Sequence, residues 1–69
     1  GKSMAQIVNE YNEFKVGDKV SYLVNTHYTV EGRITKMIQG SEGATFIIKG
    51  CRSGKERCCQ TDHFTFTKI

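Results

Sequence analysis

Apolar and polar side chains alternate with a period of two along most of the chain after Phe14, and this alternation constrains the fold more than any other feature. A period of two places every second side chain on the same face of a β-strand. The alternating runs are short and are separated by turns that contain glycine, at Val16-Gly17-Asp18, at residues 39–43 and at Ser53-Gly54. The pattern predicts an all-β domain of short strands joined by tight turns.

Five strands are predicted, beginning near Lys19, at Thr29, at Ala44, after Gly54 and at Phe64. The second strand runs from Thr29 to Ile38 and contains Gly32, where a glycine permits a bend or a close backbone approach. The inward-facing side chains are expected to form the core, namely Val20, Tyr22, Val30, Ile34, Phe46, Ile48, Cys59, Phe64 and Phe66.

The turn at Ser53-Gly54 also predicts a register for the hairpin that contains it. With these two residues at the tip, Ile48 lies opposite Cys59. This register places Cys59 in the core with Ile48, and it places Cys58 on the outer face with Lys49.

Residues 1–13 are predicted to form an N-terminal extension with a short amphipathic helix. Ser3-Met4-Ala5-Gln6 has the form of a capping box, in which two side chains satisfy free backbone N–H groups. Four apolar residues then recur at helical spacing, namely Ile7, Val8, Tyr11 and Phe14. We therefore expect a helix from about Met4 to Glu13 that is supported by packing on the β-domain.

A chain of 69 residues has room for a single domain with a compact core and no deep substrate cavity. Three cysteines, two of them adjacent, suit a reducing compartment better than a disulfide framework. No charged segment followed by an apolar run marks the chain for secretion, and no run of about 20 apolar residues could span a membrane. We expect a soluble, cytoplasmic protein with no small-molecule substrate.

The cysteines and His63 do not form a recognised metal or catalytic motif. The spacing of Cys51, Cys58, Cys59 and His63 matches no paired zinc knuckle, and adjacent strand residues point to opposite faces. A Cys59/His63 nucleophile pair would lack both an orienting group and a pocket for the substrate. We expect no metal, no cofactor and no enzymatic activity.

Two stretches carry a resemblance to known β-barrels, namely Phe14-Lys15-Val16-Gly17-Asp18-Lys19-Val20 and Glu31-Gly32-Arg33-Ile34-Thr35-Lys36-Met37. They resemble the first two strands of SH3-like barrels of the KOW and Tudor groups, which carry a GDxV turn and a GxIxxI stretch. The ending from Thr61 to Ile69 is similar to the corner and closing strand of those barrels. The resemblance, over residues 14–69, implies a small five-stranded SH3-like β-barrel.

The same resemblance implies a binding module. KOW-type members bind RNA, DNA or proteins of transcription and translation, and Tudor-type members often hold methylated side chains in an aromatic cage. A cage needs several aromatic side chains at one mouth, whereas only Tyr22 and Tyr28 lie near one loop. Small barrels of this kind also occur as phage or plasmid accessory proteins that bind a host enzyme.

The distribution of charge makes nucleic acid the first predicted ligand. Residues 49–57 contain four basic side chains and one acidic side chain, within a chain of net charge +3. Basic side chains bind phosphates and an exposed aromatic ring stacks on bases, which predicts a site of Lys49, Arg52, Lys55, Arg57, Arg33, Lys36 and Tyr28. The alternative is a protein partner bound through the apolar residues Tyr11, Leu23 and Ile47.

Overall fold

The computed structural model describes residues 5–24 and 28–69. In these residues the chain forms β-strands and no helix. The strands are β1 (Gln6–Val8), β2 (Glu10–Tyr11), β3 (Phe14–Lys15), β4 (Lys19–Leu23), β5 (Thr29–Gly40), β6 (Gly43–Gly50), β7 (Glu56–Gln60) and β8 (Phe66–Lys68).

The main sheet contains six antiparallel strands organised around β5. Five strands follow the order β7-β6-β5-β4-β8, and β1 pairs with β5 outside this path. The 12-residue β5 pairs with β6 along one edge. Along its other edge, the first part of β5 pairs with β4 and the last part pairs with β1. The strands β2 and β3 form a separate small hairpin.

The predicted closed barrel is wrong, because the sheet is open. In the described part of the chain, β7 and β8 stand at opposite ends of the strand order and do not pair with each other. A barrel closes only when its end strands pair, and the three residues of β8 all pair with β4. The open apolar face is covered instead by Tyr11 and Phe14, whose rings pack edge-on against Phe46 at centroid distances of 6.1 and 5.6 Å.

The predicted N-terminal helix is also wrong. Its first residue, Met4, and the capping residue Ser3 lie outside the described residues, and the rest of the segment forms β1 and β2. Ile7 of β1 lies opposite Ile38 of β5. Asn12 has a φ of 56°, a left-handed conformation that turns the chain between β2 and β3 and cannot continue an α-helix. A short helix has a costly nucleus, whereas the edge of β5 offers ready backbone partners.

The core contains six of the nine predicted residues together with Met37 and Ala44. The buried side chains are Val20, Tyr22, Ile34, Met37, Ala44, Phe46, Ile48 and Cys59. The other three predicted residues, Val30, Phe64 and Phe66, pack against this core and stay partly exposed. The alternation pattern therefore identified the inner face of the sheet.

A β-bulge explains why Met37 was not predicted. Ile34 lies opposite Ile48 and Lys36 lies opposite Ile47, so Thr35 is an additional residue in β5. The Thr35 hydroxyl donates a hydrogen bond to the Ile47 carbonyl over 3.1 Å. One additional residue reverses the inward and outward positions that follow it, and Met37 therefore faces the core.

Gly32 lies where β5 and β6 approach each other closely, as its position predicted. A Cβ atom at Gly32 would meet the Cγ2 atom of Ile48 and would lie 2.8 Å from the backbone oxygen of Lys49. Both contacts are too close for any side chain. A glycine at this position therefore lets the two strands pair without a gap in the core.

Candidate functional site

A cleft of about 480 Å³ lies between the beginning of β5 and the turn that joins β6 to β7. The strand pairing ends where Gly32 lies opposite Gly50, followed by one further hydrogen bond from Cys51 N to Glu31 O at 3.0 Å. Beyond this point the turn residues bond to one another instead of to β5. The cleft is the space left between the two segments.

The turn that forms one wall of the cleft is held by its own hydrogen bonds. Gly50 N donates to Lys55 O over 2.8 Å, and Gly54 N donates to Gly50 O over 3.0 Å. Gly54 has a φ of 71°, which glycine adopts without steric cost. The Ser53 hydroxyl accepts a further bond from Lys55 N at 3.2 Å. The backbone that carries Arg52 and Lys55 is therefore well fixed.

The charged lining of this cleft is mainly basic. Arg52, Lys55 and Arg57 line it together with one acidic residue, Glu31. All four residues are exposed. The ion pairs of the described residues involve Lys15, His63 and Lys68, so no cation of the cleft is neutralised by a side chain. An anion that enters the cleft meets an excess of positive charge.

The cleft also has two aromatic walls of different character. Tyr28 is 52% exposed, and its ring is therefore available to a ligand. Tyr22 is 3% exposed and lies at the inner end of the cleft, and it belongs to the same buried cluster as Cys59. Burial raises the pKa of Tyr22 to about 12, and burial also raises the pKa of Cys59. The inner end of the cleft is therefore uncharged at neutral pH.

We expect the domain to lose stability in alkaline solution because of Tyr22. The pKa of this tyrosine is raised from 10.0 to about 12, so its stabilising effect is complete below pH 10 and is lost as the pH rises toward 12. A shift of this size corresponds to about 3 kcal/mol. Urea unfolding at pH 8 and pH 11.5 should show the loss in wild-type protein and in Tyr28→Phe, and a smaller loss in Tyr22→Phe. Equal losses in all three proteins would contradict this assignment.

The predicted nucleic-acid residues divide into two groups on different faces of the sheet. Arg52, Lys55, Arg57 and Tyr28 line the cleft. The other three, Arg33, Lys36 and Lys49, are exposed residues of β5 and β6 that lie on the face opposite the core. The sequence prediction joined two surfaces that the fold separates.

Sequence reasoning missed Lys19 and Glu31 as members of these surfaces. Lys19 lies directly opposite Arg33, and Arg33 lies directly opposite Lys49. The signal that would have identified Lys19 is the register between β4 and β5, which the alternation pattern alone does not give. Glu31 lines the cleft at the residue before Gly32, where the pairing between β5 and β6 ends.

The three residues predicted for a protein partner do not form one patch. The Tyr11 ring packs on Phe46, and Tyr11 is therefore partly buried. Leu23 is 50% exposed and lies opposite Thr29, whereas Ile47 lies opposite Lys36. At about 3.3 Å per residue, these two positions are roughly 20 Å apart along β5. Binding of a protein partner through these residues therefore stays a prediction, and their separation does not favour it.

The hairpin between β6 and β7 keeps the predicted faces but has a different register. Cys59 lies opposite Phe46, and Ile48 lies opposite Arg57, which is a shift of two residues from the prediction. A shift of two preserves the faces, so Cys59 is buried and Cys58 is exposed. In the described residues no group of three His, Cys, Asp or Glu side chains is placed to hold a metal ion.

None of the described residues belongs to a helix that is long and apolar enough to cross a membrane. No family model, no curated protein and no solved structure matches the chain.

Proposed function

We propose that this domain binds single-stranded nucleic acid in the cleft between the beginning of β5 and the β6-β7 turn. The observation that carries the proposal is the position of Arg52, Lys55 and Arg57 around the same cleft as the exposed ring of Tyr28. Proteins that bind single strands combine cationic side chains for the backbone with aromatic side chains for the bases. DNA and RNA both offer these two features.

The dimensions of the cleft favour a single strand over a duplex. A volume of about 480 Å³ falls within the range of roughly 300–1,000 Å³ that small-molecule sites occupy, and one unstacked nucleoside is a ligand of this kind. The bases of a duplex are stacked on their neighbours and cannot reach the ring of Tyr28. A base in the cleft would instead lie against Tyr28 and the uncharged end formed by Tyr22.

The positive charge of the cleft would attract the phosphate backbone of the nucleic acid. Arg52, Lys55 and Arg57 have no ion-pair partner among the described residues, so they contact phosphates without first breaking an ion pair. Arg52 and Lys55 lie on the hydrogen-bonded turn, whose fixed backbone reduces the entropy that binding would cost. Three cations line the cleft beside one acidic residue, Glu31, so about three phosphate contacts are expected.

A titration of fluorescent single-stranded DNA and RNA at several salt concentrations tests the proposal. With three phosphate contacts, the logarithm of the binding constant should fall with the logarithm of the salt concentration at a slope of about −2. Replacing Tyr28 by alanine should weaken binding about tenfold through loss of stacking, whereas Tyr28→Phe should bind as wild type does.

Two results would contradict the proposal. One is the absence of any binding to oligonucleotides at low salt, which would direct attention to the exposed Leu23 and a protein partner. The other is equal affinity of Tyr28→Ala and Tyr28→Phe, which would show that the ring does not contact a base.

A further inference from the structure

A second basic surface lies on the face of the sheet opposite the core. Lys19 of β4, Arg33 of β5 and Lys49 of β6 are direct neighbours across three strands. The residues next to them in sequence, Val20, Gly32 and Ile48, face the core, so these three side chains point outward. We call Lys19, Arg33 and Lys49 the outer row.

The outer row concentrates like charge on one face of the sheet, where Glu56 opposite Lys49 and Glu31 two residues before Arg33 are its acidic neighbours. Strands are about 4.8 Å apart, so the Cα atoms of these three residues lie within about 10 Å of one another. Like charges directly opposite each other destabilise a sheet. The ion pairs of the described residues include none of these three side chains, although Glu56 lies opposite Lys49. An anion bound across the row would relieve this repulsion.

One member of the outer row is held in position. The Arg33 Nη1 atom donates a hydrogen bond to the carbonyl of Gly17 over 2.6 Å, which fixes the guanidinium beside the turn that precedes β4. Arginine keeps further N–H donors for an anion when one is used in this way. The exposed Lys36 extends the basic surface along β5 beyond Thr35.

We infer that the outer row binds the phosphate backbone of a second nucleic-acid segment, so that one domain joins two segments. The inference rests on the proposed function of the cleft, and charge complementarity selects the occupant. The aromatic side chains of the described residues lie in the cleft or pack in the core, so the outer row contacts phosphates without stacking on bases. The cleft holds one strand and the outer row holds the backbone of another.

A two-oligonucleotide capture assay tests this inference. An oligonucleotide fixed to beads is first saturated with protein, unbound protein is removed, and a second, labelled oligonucleotide of unrelated sequence is added. Wild-type protein should retain the labelled strand. The variant Lys19→Gln/Lys49→Gln should bind the beads as wild type does and retain at least about tenfold less labelled strand.

A matched control separates this effect from a change in overall charge. Lys15→Gln/Lys68→Gln has the same net charge as the outer-row variant, but it removes lysines that are already paired with Glu10 and Asp18. It should retain the labelled strand, and circular dichroism should show that both variants are folded. Equal capture by wild type and by Lys19→Gln/Lys49→Gln would overturn the inference about the outer row but not the proposal for the cleft. The same conclusion would follow if wild-type protein bound the beads but captured no labelled strand. Failure of wild type to bind the beads overturns the cleft proposal as well.

Discussion

Replacing Phe46 by alanine is expected to lower the free energy of unfolding by about 3–5 kcal/mol, because the side chain is completely buried at the centre of the core. Its ring contacts Tyr11, Phe14 and Phe66, the last at a centroid distance of 5.0 Å. A domain of 69 residues has a total stability of only about 3–10 kcal/mol. The variant should therefore be largely unfolded at 37 °C, as measured by circular dichroism and urea titration.

The control for this experiment is Leu23→Ala, which also shortens a large apolar side chain. Leu23 is 50% exposed, and its replacement should change the free energy of unfolding by less than about 0.5 kcal/mol. Phe46→Ala could fall within 1 kcal/mol of wild type only if the rings of Tyr11, Phe14 and Phe66 did not enclose it. That result would show that the β2-β3 hairpin does not cover the open face of the sheet.

The positions of the main strands could be predicted from the sequence because each strand has one buried face. Alternation identified Val20, Tyr22 and Ile34 on that face, and Gly32 marked the close approach to β6. The position of the bulge could not be predicted, since the polar pair Thr35-Lys36 breaks the alternation without showing which residue is the additional one. A single additional residue is a local feature that depends on the partner strand.

The N-terminal segment shows why spacing alone is insufficient in a short segment. Ile7, Val8 and Tyr11 fit one face of a helix, but these residues are divided between β1 and β2. The deciding factor is a tertiary one, because β5 extends beyond β4 and leaves an edge that β1 fills at Val8 opposite Met37. Propensity and spacing are weaker than such long-range hydrogen bonding.

The candidate site was predicted in its composition but not in its geometry. Clustering of charge in residues 49–57 identified Arg52, Lys55 and Arg57, which share a cleft. The separation of Lys49 from this group follows from the period of two, because Lys49 lies next to the inward-facing Ile48 and points outward. Only the register across β4, β5 and β6 could join Lys49 to Arg33 and Lys19.

Reversing the charge of the turn is expected to have the largest effect on binding. In Arg52→Glu/Lys55→Glu, two phosphate contacts are lost, and at about 1.5 kcal/mol each this weakens binding of a short single strand by at least about 100-fold. The slope of affinity against salt should fall from about −2 to about −0.7, since only the contact of Arg57 is left. Both residues are exposed, so the free energy of unfolding should change by less than about 0.5 kcal/mol.

A second charge reversal, Lys36→Glu/Lys49→Glu, is the control for this experiment. It changes the net charge by the same amount but lies on the opposite face of the sheet. Each double variant changes the net charge from +3 to −1, so a purely long-range attraction would weaken equally in both. For a short oligonucleotide bound at the cleft, the outer-face variant should bind within about fivefold of wild type at physiological salt, where the Debye length is about 8 Å. If the two variants lost equal affinity, binding would depend on overall charge, and the cleft would have no special role. An unequal loss, with the salt slope reduced in the turn variant alone, would assign the phosphate contacts to Arg52 and Lys55.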